Sequence, residues 1–377
     1  MYLLRNRRSA SSAHFTRFTR TLQTNTAAKS PLAFCFDIDG VLLQGNHAIP
    51  CAKRALRMME GENSRGLKIP YILLTNGGGR TEADRAKLLS SQLDVNLSER
   101  QLVQAHTILK TATEEYGDEP VLVLGGELDA CRKIAESYGY KYAYLPIDYL
   151  AAEPRIWPFY KLTEAEQAVV KPNPRHPKLI LTCHDPRNWA LEIQLLCDML
   201  SDPTEPPPKL VFCNPDLLWR TDFPKLRFGQ GAFKTALSAV YKERTTKALE
   251  SFQLGKPTKT TYEFAEGILM QQAGIQVGEE MPRVLTHTLG EANTHNTDNP
   301  ESDIAGANAY GWDSILVGTG VYDSTEGPPT HFPSRILDNV EKAVEWAIDR
   351  EFAPLGEKLK ERRKWDGRVV KVHDLWS

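Results

Sequence analysis

An α/β protein is what this sequence predicts: a parallel sheet covered by helices, with a second α/β unit inserted into it. Three observations carry the prediction. From Pro31 onward, short apolar runs alternate with helical stretches. The polar residues that stand out come directly after such runs, in separate parts of the chain. Proline-rich segments, "EPRIWPFY", "KPNPRHP" and "DPTEPPP", punctuate the middle of the chain and mark long surface loops around a further set of apolar runs.

Taken in order, Leu32 to Phe36 reads as the first strand. Pro50 sits where a first helical position tolerates proline, and Ala52, Ala55, Leu56 and Met59 recur behind it at helical spacing. "KIPYILLTN" is a second strand ending at Thr75 and Asn76, followed by Gly77, Gly78 and Gly79 and a helix from Thr81 to Leu93. Ser98 and Gln101 form a capping-box signature that predicts another helix. "PVLVLGG", "KLILTCHD" and "KLVFCN" read as strands of the inserted unit, over residues 97–235. The first unit, residues 31–96 and 236–353, resumes with "SFQLGKP", a helix through Phe264 and Ile268, "RVLTHTL" and "WDSILVGTG". A final helix from Ile336 to about Phe352 closes it, leaving residues 354–377 as a tail.

A formal net charge of -2 gives no general pull toward nucleic acid or an anionic membrane, so partners must be read from local sites. No apolar run approaches the roughly 20 residues that span a bilayer, so no transmembrane segment is expected. The six cysteines are scattered without a CxxC pair, which predicts reduced thiols in a core. Residues 1–30 differ from the rest. They carry Arg5, Arg7, Arg8, Arg17, Arg20 and Lys29 with many Ser and Thr and no acid, the make-up of a mitochondrial transit peptide, matrix-directed. A basic tail on a cytoplasmic protein is the alternative.

Ligands of an open parallel α/β sheet bind outside the carboxyl ends of its strands. Asp37 and Asp39 follow the first strand, Thr75 and Asn76 the second, Lys256 lies in "LGKP", and Asp298 and Asp303 lie in "DNPESDIAGAN". Two carboxylates on either side of Ile38 repel one another, and one stays protonated unless a cation neutralises them. Mg²⁺ prefers oxygen ligands, keeps waters and holds phosphate, which allows Asp37 to stay ionised. A carboxylate beside such an ion can attack phosphorus, while Asp39 protonates the leaving alkoxide and then takes a proton from water. The Thr75 hydroxyl, backbone amides near Gly40 and Asn76, and the Lys256 ammonium supply donors to the transferring phosphoryl group.

Motif by motif, these residues resemble the haloacid dehalogenase superfamily of phosphotransferases: "DIDGV", "YILLTN", "LGKP" and "DNPESD" occur in its order. The resemblance covers nearly all of residues 31–350. It implies a Rossmann-like parallel-sheet core with Asp37 as nucleophile and Asp39 as general acid/base. Asp37, Asp39 and Asp298 would be Mg²⁺ ligands, with Asp303 a supporting acid. Roughly 35 residues separate Asp39 from Thr75 and roughly 180 separate Thr75 from Lys256. The long gap is where the superfamily's α/β C2-type cap domains are inserted. "TNGGGRT" and "CNPDLLW" resemble subfamily IIA, the NagD-like group, and "FGQGAFKTAL" and "GWDSILVGTGVY" resemble the cat eye syndrome critical region protein 5 family. The implied activity is a Mg²⁺-dependent phosphatase acting on a small phosphorylated metabolite, with a homodimer through the cap. The alternatives are a mitochondrial enzyme of glycerophospholipid metabolism acting on a lipid phosphate, and a catalytically impaired interaction protein.

The last alternative comes from one departure. The superfamily runs an apolar strand straight into Gly-Asp, whereas "RVLTHTLGEANTHNTDNPESD" places a polar stretch before Asp298, with Thr297 where glycine is expected. Either the strand is Val284 to Leu289 and a loop returns Asp298 to the site, or the stretch is a retained-intron type of sequence error. A rival register uses Gly290 and Glu291; the spacing of Asp298 to Asp303 favours Asp298. The remaining candidates have plain structural readings beside the functional ones. Gly77 to Gly79 can cradle phosphate or simply turn the chain. His184, Asp185, Asn214 and Asp216 can face substrate from the cap or cap turns. His287 and His295 lie near the interrupted motif without metal-ligand spacing. The basic run "KLKERRKW" reads as a solvated helix face.

Overall fold

The computed structural model describes residues 29–219, 223, 225–291, 302–321, 331–352 and 363–367. Its longer-range strands, in chain order, are β1 (Leu32–Phe36), β2 (Tyr71–Thr75), β3 (Leu102–Gln104), β4 (Pro120–Leu124), β5 (Tyr142–Tyr144) and β6 (Leu179–Thr182). They continue with β7 (Lys209–Phe212), β8 (Phe252–Gln253), β9 (Arg283–Glu291), β10 (Asp313–Val321) and β11 (Arg335–Leu337). The main helices are α1 (Pro50–Met59), α2 (Glu82–Leu93), α3 (Ala130–Tyr138), α4 (Trp189–Leu200), α5 (Gln230–Thr245), α6 (Lys259–Gln272), α7 (Ser302–Tyr310) and α8 (Val340–Glu351).

Two parallel sheets result, the core in the order β11-β10-β9-β1-β2-β3 and the cap in the order β8-β7-β6-β4-β5. In the core, the chain winds outward from β1 to β2 and β3, then returns on the other side of β1 as β9. The crevice beside β1 is therefore the switch point where a parallel sheet offers a ligand site.

The alternation of side chains divides β1 between two apolar layers. Leu32, Phe34 and Phe36 pack with Leu56, Val344 and Ile348 on one face, while Ala33 and Cys35 pack with Ile72, Tyr262 and Leu269 on the other. All five residues of β1 are buried. Full burial of a side chain such as Phe34 contributes about 1.5–3 kcal/mol. The second layer does not stop at the core. Through Ile108, Leu109 and Ala112 it continues into Val121 and Val123, so core and cap share one apolar cluster. Leu195, Phe233 and Leu237 pack with Phe212 of β7 on the other face of the cap sheet.

Several elements differ from the sequence reading. The strand β3 falls inside the span expected for the cap, yet it pairs with β2 of the core. The strand β8 falls inside the span expected for the core, yet it pairs with β7 of the cap. Strands of three and two residues carry no alternation, so only their partners assign them. The Ser98 and Gln101 capping box forms, but it closes a single 3-10 turn, Glu99–Gln101, because the chain enters β3 at once. Ile336 lies in edge strand β11; the last helix starts only at Val340, where the Asn339 side chain accepts the Lys342 amide hydrogen. Of the basic run, Lys364 forms an antiparallel bridge with Glu280 and Arg363 binds Glu266 at 3.0 Å, so this described part is not a helix face. All six cysteines are free and buried. Among the described residues no helix is long and apolar enough to cross a membrane.

Candidate active site

The strand β1 delivers its acids through a tight turn. The Asp37 amide donates to the His287 carbonyl of neighbouring β9 at 3.3 Å, the last rung of the ladder. Ile38 is fully buried, and its carbonyl accepts from the amides of Leu42 and Leu43 at 3.0 and 2.9 Å. With Ile38 anchored in the core, the flanking Asp37 and Asp39 are turned toward the strand edge. Gly40 takes φ +75°, a left-handed conformation that costs glycine nothing, and its amide closes the turn on the Leu43 carbonyl. A short hairpin, Leu43–Gln44 with His47–Ala48, follows.

Lys256 is the hub of the charges. Its side chain is almost fully buried, and Nζ lies 2.9 Å from Asp37 Oδ1, 2.8 Å from Asp303 Oδ1 and 3.2 Å from the Leu74 carbonyl. Burial pulls this amine toward its neutral form, but the Asp303 and Asp37 carboxylates outweigh burial and raise its pKa. The ammonium is therefore held. Asp303 stands in the first turn of α7, where the helix dipole also favours its anion.

The loop after β2 adds the polar donors. The Thr75 hydroxyl accepts the Gly77 amide hydrogen at 2.9 Å, which leaves its own proton for a ligand. A side chain at Gly77 would come within 3.9 Å of Asp39 Oδ2, so this turn borders the second acid. Asn76 is committed differently. Its side-chain oxygen accepts the Lys256 amide hydrogen at 2.8 Å and its nitrogen donates to the Lys256 carbonyl and to both Asp216 oxygens. The carboxamide thus fixes the lysine loop and ties it to the cap, leaving the backbone of Asn76 for any phosphate contact. Burial raises the pKa of Asp216 to about 6, opposed by Lys256 and the Asn76 hydrogen bond.

The glycine turn is set by close packing. A Cβ at Gly78 would meet His106 Cδ2 at 2.8 Å and the Cys183 carbonyl at 3.3 Å; one at Gly79 would meet His184 Cδ2 at 2.3 Å. His184 is thus placed against the core, and its ring accepts the Asp185 amide hydrogen at 2.5 Å. His287, by contrast, is a core residue. It is fully buried beside Phe34 and Phe36, and burial lowers its pKa to about 3. Asp298 and His295 lie outside the described residues. Arg85 on α2 is a charged neighbour of Asp39 that sequence reasoning missed, because a helical arginine among several gives no signal of its direction.

Mg²⁺ fits the donor set at Asp37 and Asp39. Asp37 and Asp303 share the Lys256 ammonium, and Asp39 lies near Asp37 with Arg85 beside it, so three carboxylates face two cations and the cluster carries excess negative charge. Asp39 keeps contact with solvent but sits deep among protein atoms, and burial followed by Asp37 raises its pKa. A hard divalent ion with oxygen ligands relieves that repulsion. Among the described residues no group of three metal-binding side chains converges, the third expected acid being Asp298.

The ion pair has a testable pH signature. Lys256→Met is expected to cost about 3–5 kcal/mol of unfolding free energy near neutral pH, since it leaves Asp303 buried without its cation. Burial already raises the Asp303 pKa to about 7 against the pull of Lys256, and loss of the ammonium raises it further, so the variant's folded state binds more protons and its stability falls more steeply as pH rises. Urea unfolding of both proteins should show a deficit that is larger at pH 8 than at pH 5; an equal deficit at both would remove the assignment.

Comparisons with known proteins agree with this geometry. The family profile of haloacid dehalogenase-like hydrolases matches residues 34–141, and a profile of related hydrolases matches residues 253–343. A mitochondrial hydrolase of Saccharomyces cerevisiae is 35% identical, over 83% of this chain and 96% of that one. A cardiolipin synthase and mitochondrial hydrolase fusion protein of Schizosaccharomyces pombe is 36% identical over 88% of this chain, which spans about half of the fusion protein, 56%. In fold, a protein from Pyrococcus horikoshii covers 84% of the chain and 99% of its own at a TM-score of 0.56 and 18% identity. NagD from E. coli K-12 covers 83% and 98% at 0.53 and 17%. The chain belongs to the haloacid dehalogenase-like hydrolases and has the NagD-like fold of subfamily IIA, a parallel core carrying an inserted α/β cap.

Proposed function

We propose that the protein hydrolyses monoesters of phosphoric acid on small metabolites, with Mg²⁺ as cofactor. The observation that carries this reading is the buried Lys256 ammonium joining Asp37 to Asp303, beside a second acid that borders the Thr75 turn. An Asp37 oxygen attacks phosphorus while the bond from phosphorus to the ester oxygen breaks, and Asp39 gives its proton to that oxygen. Water then attacks the aspartyl phosphate, Asp39 takes the water's proton, and phosphate leaves with the Asp37 carboxylate restored. Thr75 Oγ1 donates to a phosphoryl oxygen, and the Lys256 ammonium, whose hydrogens are held by Asp37, Asp303 and the Leu74 carbonyl, acts on the group through its charge. Mg²⁺, held by Asp37, Asp39 and Asp298, would neutralise charge that builds on the phosphoryl group.

Backbone register supports Asp298 over Glu291 as third ligand. Phe36 pairs with His287, so Asp37 is level with Thr288, whereas β9 runs on to Glu291, three residues or about 10 Å further. Asp303, five residues after Asp298, is already at Lys256. Asp298→Ala should weaken Mg²⁺ activation at least tenfold, by loss of one anionic ligand, while Glu291→Ala changes it little. The opposite ranking in a Mg²⁺ titration of turnover would move the ligand to Glu291.

The cap also carries a cavity. A cavity of about 340 Å³ opens at the carboxyl ends of β4 and β6, the strand edge that also presents His184 to the core. It is lined by Leu128, Ile147, Leu191, Arg187, Asn188 and Glu192, and burial raises the Glu192 pKa to about 7. None of the residues that line it belongs to the set around Asp37, Asp39, Thr75 and Lys256, so it sets no limit on substrate size. A lipid phosphate is the second reading, favoured by the cardiolipin synthase in the name of the fission yeast relative. Wild-type protein should release phosphate from a panel of metabolite phosphates when Mg²⁺ is present, and Asp37→Asn should reduce this at least 10³-fold without loss of fold. Release from lipid phosphates alone would select the second reading; no release from either would leave an interaction protein.

A mitochondrial location is supported by the names of both yeast relatives and by the basic, acid-free leader. A reporter carrying residues 1–30 should enter mitochondria; a diffuse cytosolic reporter would remove the proposal.

A further inference from the structure

Behind the glycine turn lies a buried polar cluster that the chemistry above does not use. It joins three parts of the molecule: Glu82, first residue of α2 in the core; His106 and Thr107, where the chain leaves β3 for the cap; and Tyr138, last residue of cap helix α3. Glu82 is 4% exposed and His106 fully buried. The Tyr138 hydroxyl donates to Glu82 Oε1 at 2.5 Å, and the Thr107 hydroxyl donates to the same oxygen at 2.6 Å. Lys110 reaches Glu82 Oε2 at 3.1 Å and lies 4.8 Å above the Tyr138 ring. With its only proton on Glu82, the Tyr138 oxygen accepts from His106 Nδ1 at 2.7 Å. Burial lowers the His106 pKa to about 4, so a neutral ring with its proton on Nδ1 is the form that fits. Burial opposes the charged form of Glu82, but the hydroxyls of Thr107 and Tyr138 and the Lys110 ammonium outweigh it and hold the carboxylate ionised.

The other edge of the His106 ring meets the site. Cδ2 and Nε2 lie 2.8 and 3.2 Å from where a Gly78 Cβ would be, and the ring lies beside the Arg80 backbone of the same turn. The same exit segment is bonded to the turn directly: Gln104 Nε2 donates to the Arg80 carbonyl at 3.0 Å, and the Ala105 amide donates to the Gly77 carbonyl at 3.5 Å. A shift of the cap helix at Tyr138 therefore has a short mechanical route, through one imidazole, to the turn that holds the Thr75 hydroxyl and borders Asp39.

We propose that Glu82, His106 and Tyr138 are positioning residues, a latch between cap helix α3 and the glycine turn that keeps Thr75 and Asp39 in register while the cap is seated. None of the three touches the reacting atoms. The cluster also explains why cap and core meet through polar groups at this point although their apolar layers are continuous beside it: directional bonds fix one relative position, where apolar contact alone permits sliding.

The latch rests on the phosphatase reading for its kinetic effect but not for its structural one, and the test separates them. Tyr138→Phe in the full chain removes one hydroxyl and keeps the ring beneath Lys110. Amide hydrogen exchange over residues 77–80 and 105–112 should quicken by about tenfold, with the melting temperature within about 3 °C of wild type. The kcat for phosphate release, per folded molecule, should fall about tenfold. Glu82→Gln keeps an acceptor for both hydroxyls and should recover more of both readouts than Glu82→Ala. Wild-type exchange at residues 77–80 in Tyr138→Phe would overturn the latch, as would an activity loss that only follows the amount of folded protein. A wild-type protein without phosphatase activity would count against the phosphatase reading alone, since the exchange measurement still decides the latch.

Discussion

A buried ammonium ringed by oxygens fixes the geometry of this centre. Lys256 Nζ reaches Asp37, Asp303 and the Leu74 carbonyl, and so bonds to the ends of β1 and β2 and to the start of α7 at once. Its own loop is held by the Asn76 carboxamide. Desolvating a lysine is expensive, and only its two carboxylates make the charged form stable there. Each carboxylate in turn needs the ammonium, so the three side chains can be buried together but not separately. The core strands must then meet in one register, because a slip of one residue in β1 would carry Asp37 to the opposite face of the sheet.

The cap is joined to this centre by two kinds of contact. An apolar cluster runs without a break from Ile72 and Leu269 through Ile108 to Val121, which gives adhesion without direction. Polar contacts then specify position: Asn76 to Asp216 on one side of the glycine turn, Tyr138 to Glu82 and His106 on the other. His184 packs on Gly79 between them. Gly78 and Gly79 are therefore small because histidine rings from the exit segment and the cap come up against them, while Gly77 faces Thr75 and Asp39.

Much of the core was legible because its signals are local. The run Leu32 to Phe36 followed by Asp-Ile-Asp-Gly specifies a buried strand and its turn within a few residues, and the Thr75 segment repeats that form. What escaped were elements too short to carry a period. The strands β3 and β8 are assigned by their partners alone, and each lies on the opposite side of the domain border from where composition put it. His287 shows the same limit for side chains: its place near an acidic motif gave no sign that its ring packs beside Phe34 and Phe36 in the core.

The sequence by itself determined the order of the chemistry: which segments end in acids, hydroxyl and lysine, and that a long insertion separates Thr75 from Lys256. Those properties follow from residue type and spacing along the chain. Only the tertiary structure decided which side chains are free to act. Asn76, a phosphate-binding candidate by position, has its carboxamide committed to Lys256 and Asp216, while Arg85, His106 and Tyr138 acquire meaning from neighbours in other elements. Hydrogen-bond partners and buried charges depend on distances across the fold, and no local pattern encodes them.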